Sequence, residues 1–138
     1  MSLLLDSNTV NYALKGRQPV IDRLDRAVSA GSPLLLCSIV HYEVTRYLKL
    51  KGSHRLARFY EDMVASWRLC DLSSLDWDTA AQLWAERHRL GRSISDFDLL
   101  VAVVARRESA VLVTSNTRHF EGLDIVLENW MAEPSSSS

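Results

Sequence analysis

Asp6, Glu43, Asp98 and Asn116 are the residues whose types and positions could do chemistry together. Asp6 directly follows the apolar run Leu3-Leu4-Leu5, and Thr114-Ser115-Asn116 follows Ala110-Val111-Leu112-Val113. Glu43 falls one turn into the helix expected after Leu34-Leu35-Leu36-Cys37, and Asp98 opens the apolar stretch that begins at Leu99. Apolar runs this short suit strands buried on both faces of a parallel sheet. In such sheets the ligand crevice lies beyond the carboxyl ends of the strands, where these four residues would meet. Carboxylates gathered in a partly buried crevice repel one another when ionised, and a hard divalent cation resolves the conflict. Oxygen-only ligation by carboxylates, an amide and waters is the chemistry of Mg²⁺ or Mn²⁺, whereas zinc favours His or Cys. His41, His54, His88 and His119 show no metal-type pair spacing and read as surface residues, although His119 lies near the candidate site. An Mg²⁺ held by carboxylates is suited to activating water for attack on a phosphodiester.

Each acid also has a plainer reading. Asp6 could simply cap the helix that follows, and taken alone the cap is the better account. Glu43 lies three residues after Val40 and four before Tyr47, on the flank of an apolar face defined by Val40, Val44 and Tyr47. A carboxylate there needs a partner; Arg46 could supply it, and on position alone the two readings stand even. Ser95-Asp96-Phe97-Asp98 has the form of a capping box, with Asp98 bonding back to Ser95. What favours chemistry is that this acidic start precedes a helix, Leu99 to Ala105, that is apolar all round and therefore central.

The elements that must position these residues alternate. Strands are expected at the runs above and at Ile125-Val126-Leu127. Helical spacing appears in Val20, Ile21, Leu24 and Val28; in Val40, Val44, Tyr47 and Leu48; in Leu56, Phe59, Tyr60, Met63 and Val64; and in Ala80, Leu83, Trp84 and Arg87 after Asp76 or Asp78. Ser38, Ser53 and Ser95 are natural N-caps, Pro19 suits a first turn, and Gly31, Gly52 and Gly91 suit helix stops. Arg106 and Arg107 mark the exit of the central helix to solvent. Strands alternating with helices make an α/β layer fold with a mostly parallel sheet.

At 138 residues the chain suits one domain, expected over 1–130, with a frayed tail at 131–138 ending in four serines. A formal charge of −1 gives no global positive field, so any polyanion must be met by local clusters. Candidates are Arg46, Lys49, Lys51, Arg55 and Arg58; Arg87, Arg89 and Arg92; and Arg118, the best single one because its segment leads away from the crevice. Cys37 and Cys70 lack CxxC spacing and read as small buried hydrophobes in a reduced, cytoplasmic protein. No apolar run is long enough to span a bilayer, and the N-terminus lacks a signal pattern. The absence of GxxxxGK[ST], GxGxxG and GxSxG removes the best support for triphosphatase, dinucleotide and α/β-hydrolase chemistry.

Leu4-Leu5-Asp6-Ser7-Asn8, the Glu43 helix after Ser38-Ile39-Val40, Ile94-Ser95-Asp96-Phe97-Asp98-Leu99-Leu100-Val101-Ala102 and Leu112-Val113-Thr114-Ser115-Asn116-Thr117-Arg118-His119-Phe120 together resemble PIN-domain ribonucleases. The resemblance is greatest to the VapC-type toxins of bacterial toxin–antitoxin pairs, and it rests on the ordered set rather than on any one motif. It implies a PIN-like three-layer α/β/α sandwich and a metal-dependent endoribonuclease that cuts structured RNA such as tRNA. Asp6, Glu43 and Asp98 match the family's acidic metal-site residues, and Asn116 its fourth position. Asn8 matches a polar residue supporting the first acid, while Asp96 is auxiliary. Ser7 stands where Thr is usual, and Ser115 where Asn or Arg often appears, both beside the site.

The resemblance further implies a homodimer and a cognate antitoxin whose C-terminal segment reaches the acidic site. Tyr42, Tyr47, Phe59, Tyr60 and Trp67 would supply the contact surface, or else fill the core. The competing function is a non-catalytic PIN-fold module that grips RNA or a basic peptide, against which the intact acidic set argues. A flap-type DNA nuclease is disfavoured by the short chain.

Overall fold

The computed structural model describes residues 1–132. Five strands, β1 (Leu3–Leu5), β2 (Leu34–Cys37), β3 (Arg68–Cys70), β4 (Val111–Val113) and β5 (Val126–Glu128), form one sheet in the order β3-β2-β1-β4-β5, every pair parallel. Six α-helices join them among the described residues: α1 (Ser7–Leu14), α2 (Gln18–Ser29), α3 (Ser38–Lys51), α4 (His54–Val64), α5 (Ser74–Arg89) and α6 (Asp96–Arg107). The chain moves outward from β1 to β2 to β3, then returns past β1 to β4. Right-handed crossovers therefore put α1–α4 on one face of the sheet and α5 and α6 on the other, a three-layer α/β/α sandwich. The order reverses between β1 and β4, and the crevice outside their carboxyl ends is where an open α/β sheet binds ligands.

The inner strands β1, β2 and β4 are buried throughout, as their apolar runs require. The edges differ. β5 is mostly exposed, with Val126 in solvent, so burial on both faces does not extend to the fourth run; β3, a strand the sequence pattern did not reveal, has only Cys70 buried. Helix α6 is buried from Leu99 to Ala105 and packs on α5 through Ala80, Leu99, Leu100 and Val103. Val28, placed by spacing on the inner face of α2, is exposed, and Val20, Leu24 and Ala27 make that contact.

Helix starts refine the capping expectations. Ser53 Oγ accepts from the Leu56 N–H at 3.2 Å and Gly52, at φ +70°, closes α3 in the left-handed region. Ser38 is not a cap: β2 runs straight into α3, so Cys37 occupies the cap position and supplies no side-chain bond. Helix α5 begins earlier than Asp76 or Asp78, because Ser73 and Asp76 form a reciprocal capping box. Cys37 and Cys70 are free, buried, and paired in register across β2 and β3, with burial pushing both thiols up. Met131 and Ala132 donate backbone N–H groups to Asn129 Oδ1; the rest of the expected tail, 133–138, lies outside the described residues.

Candidate active site at the β1–β4 switch point

Asp6 leaves the central strand and becomes the N-cap of α1, its Oδ1 accepting the Thr9 N–H at 2.9 Å. The capping account is thus correct for one oxygen, and it fixes the carboxylate that chemistry would use. Thr114, fully buried at the end of β4, lies beside Asp6 and its hydroxyl favours the charged carboxylate, while the Asp6 N–H donates to Val113 O at 3.0 Å. Only 7% of Asp6 is exposed. Burial pushes its carboxyl above the ordinary value, against the opposing effect of Thr114 and Thr9, and the nearby Asp98 charge pushes the same way as burial. Asp6 and Asp98 therefore feel one another across the crevice.

Asp98 enters from the first turn of α6, where Ser95 Oγ accepts its N–H at 3.2 Å. Only that half of the expected capping box is present, which leaves the Asp98 carboxylate for the crevice; its Oδ2 lies 3.8 Å from His119 Nδ1. His119 in turn meets Asn116 Nδ2 at 2.8 Å, and the Asn116 N–H donates to Thr114 Oγ1 at 3.1 Å. Hydrogen bonds thus join Thr114, Asn116 and His119 in series, and His119 stands beside Asp98.

Glu43 joins by another route. Ser7 Oγ, in the first turn of α1, donates to Glu43 Oε1 at 2.5 Å across 36 residues of sequence. Arg46, the alternative partner, lies instead over the rings of Tyr42 and Phe97. Among the described residues no three His, Cys, Asp or Glu side chains are gathered tightly enough to hold an ion by themselves.

Other expected residues fall elsewhere. Asn8 is exposed, and the support for Asp6 comes from Thr9 and Thr114. Asp96 is exposed at the mouth of an apolar groove between α5 and α6 lined by Trp77, Ala80, Trp84 and Leu99. Ser115 is half-buried beside Thr114; Arg92 and Arg118 are exposed. Arg87 is not a surface contact: it is buried at 8% exposure, donating from Nη1 to Glu121 O at 2.7 Å and from Nη2 to His119 O at 3.0 Å. It moors the short 3₁₀ helix Thr117–Phe120, which carries His119 beside Asn116. Ser7, Thr9, Thr114 and His119 are partners that the sequence does not single out as participants, and each adjoins a residue that it does.

Tyr60 and Trp67 belong to the core, Tyr47 is half-buried, and Tyr42 and Phe59 are exposed, so the core absorbs only part of the aromatic surface. No helix among the described residues is long and apolar enough to cross a membrane.

The PIN domain family model matches residues 3–125. The tRNA(fMet)-specific endonuclease VapC of Shigella flexneri is 40% identical over 62 residues, which cover 41% of this chain and 47% of that protein. Ribonuclease VapC2 of Haemophilus influenzae is 27% identical over 133 residues, covering 95% of this chain and 99% of that protein. The fold superposes on the crystal structure of VapBC2 from Rickettsia felis, bound to a DNA fragment from their promoter, with a TM-score of 0.82 and 26% identity over 94% of this chain and 99% of that one.

Proposed function

The chain belongs to the PIN-domain family, and from that premise we propose that it is a metal-dependent endoribonuclease of the VapC type, the toxin of a toxin–antitoxin pair. Its reaction is hydrolysis of phosphodiester bonds in structured RNA such as tRNA. The observation that carries this reading is Asp6: a buried carboxylate at the carboxyl end of the central strand, oriented by its own helix cap and facing a second acid, Asp98. Burial of a charge without a cationic partner is costly, and a divalent ion in the crevice would reverse the cost.

The donors fit such an ion in kind. They are carboxylates, an amide and hydroxyls, with neither thiolate nor paired imidazoles among them. The absence of a ready-made three-residue cage among the described residues suits Mg²⁺ or Mn²⁺ held by one or two carboxylates and mainly by water and substrate phosphate. Asp6 and Asp98 are the residues that would hold it, with Glu43 and Asn116 beside them. When bound, the ion lowers the pKa of water and offsets charge on the phosphate.

The protein's own groups do the positioning. Thr9 and Thr114 fix the Asp6 carboxylate, Ser7 fixes Glu43, and Arg87 anchors the segment that holds His119 against Asn116. Water attacks phosphorus, the 3′ oxygen departs, and the products carry 5′-phosphate and 3′-hydroxyl ends. The exposed aromatic residues Phe59, Trp77 and Trp84 support protein partners: a second copy of the chain and a cognate antitoxin in the cytoplasm. The open spacing of the acids is the one feature that favours a non-catalytic module gripping RNA or a basic peptide. Incubation of purified protein with total small RNA decides between them. Discrete fragments with Mg²⁺ or Mn²⁺ and none in EDTA are expected; intact RNA with every metal refutes the enzyme reading.

A further inference from the structure

Helix α3 turns Val40, Val44 and Leu48 into the core and thereby leaves Tyr42 and Arg46, one turn apart, in solvent. Tyr42 is 53% exposed even though it is the immediate neighbour of Glu43. Across from it, at the start of α6, stands Phe97, the immediate neighbour of Asp98. The Tyr42 and Phe97 rings meet edge to face at 5.9 Å, and the Arg46 guanidinium lies 5.1 Å from the first centroid and 5.2 Å from the second. Among the described residues no carboxylate pairs with Arg46, so its charge is not consumed by the neighbouring acids.

Two rings and a guanidinium, drawn from two helices, thus bracket two of the three acids. Aromatic faces and Arg planes are what unpaired nucleobases stack on, because every base has a π-face. The guanidinium adds a cation where an approaching phosphate must otherwise face only carboxylates. We infer that Tyr42, Arg46 and Phe97 form a stacking platform for an unpaired RNA base next to the scissile phosphate. The inference rests on the ribonuclease reading for the word scissile, but the platform itself is a binding site. It selects for RNA segments whose bases are already unstacked, such as loops, and tolerates any base there.

The test titrates the full chain into single-stranded RNA dodecamers carrying 2-aminopurine at each position in turn, with Ca²⁺ in place of Mg²⁺. Fluorescence quenching at one or two adjacent positions is expected. Tyr42→Leu should weaken binding at those positions about 5- to 150-fold, the loss of one stacked base, while Tyr42→Phe keeps it. Quenching absent at every position, or unchanged in Tyr42→Leu, overturns the platform and gives the surface to a protein partner. Cleavage of small RNA with Mn²⁺ by the same preparations is scored separately. A chain that cuts while its quenching ignores Tyr42 loses the platform alone; one that quenches as expected and never cuts keeps the platform and loses the nuclease reading.

Discussion

Replacing Arg87 by Ala should damage the protein through its fold rather than through substrate contact. The guanidinium makes two charge-assisted hydrogen bonds, to the carbonyls of Glu121 and His119 at 2.7 and 3.0 Å. Bonds of this kind contribute roughly 1.5–3 kcal/mol each, so about 3–6 kcal/mol is at stake before offsets. Two offsets reduce it. Truncation removes a buried charge whose Nε has no partner, and water can reach carbonyls that belong to exposed residues. The net destabilisation is about 2–4 kcal/mol, which at an m-value of roughly 2 kcal/mol/M lowers the urea midpoint by about 1–2 M. Arg89→Ala, two residues away and exposed, should move it by less than about 0.3 M. Under native conditions the Arg87→Ala protein should also lose cleavage, because His119 and Asn116 are no longer anchored. A midpoint within about 0.3 M of wild type, combined with weakened RNA binding, would refute the reasoning and return Arg87 to the RNA surface.

Ser7→Ala removes the hydroxyl that holds Glu43; cleavage should fall about 10-fold with stability changed by less than about 1.5 kcal/mol, while Ser7→Thr restores both, as turnover and urea curves will show. Asp6→Asn should make the metal-free protein more stable at pH 7. Burial raises the folded carboxyl above its ordinary 3.8, so between those two values the native state binds more protons than the unfolded chain and stability falls as pH rises. Calorimetry in EDTA should show the melting gap between Asp6→Asn and wild type open at neutral pH and close as pH drops below the ordinary value; a constant gap counts against burial as its cause.

Much of this arrangement is legible before any coordinates. Asp6 and Asn116 announce themselves by following apolar runs that suit inner strands, and Asp98 by heading a helix with no polar face. The residues that hold them are not, because their bonds join distant parts of the chain. Ser7 reaches Glu43 across 36 residues, and Arg87 reaches His119 across 32. A helix-face arginine looks the same in sequence whether it meets solvent or a buried carbonyl. β3 is not legible because Arg68-Leu69-Cys70 is a short edge strand with little apolar signal. The start of α5 could have been found, since Ser73 and Asp76 stand three apart in capping-box spacing.

The central claim is that Asp6 anchors a metal-dependent RNA-cutting site. Its most direct measurement is the cleavage rate of end-labelled tRNA with Mn²⁺, by wild type and by an Asp6→Asn protein whose melting curve shows it folded. The account predicts discrete cuts by wild type, with 5′-phosphate ends, and a rate at least about 100-fold lower for the variant. Equal cleavage by the two proteins would contradict it.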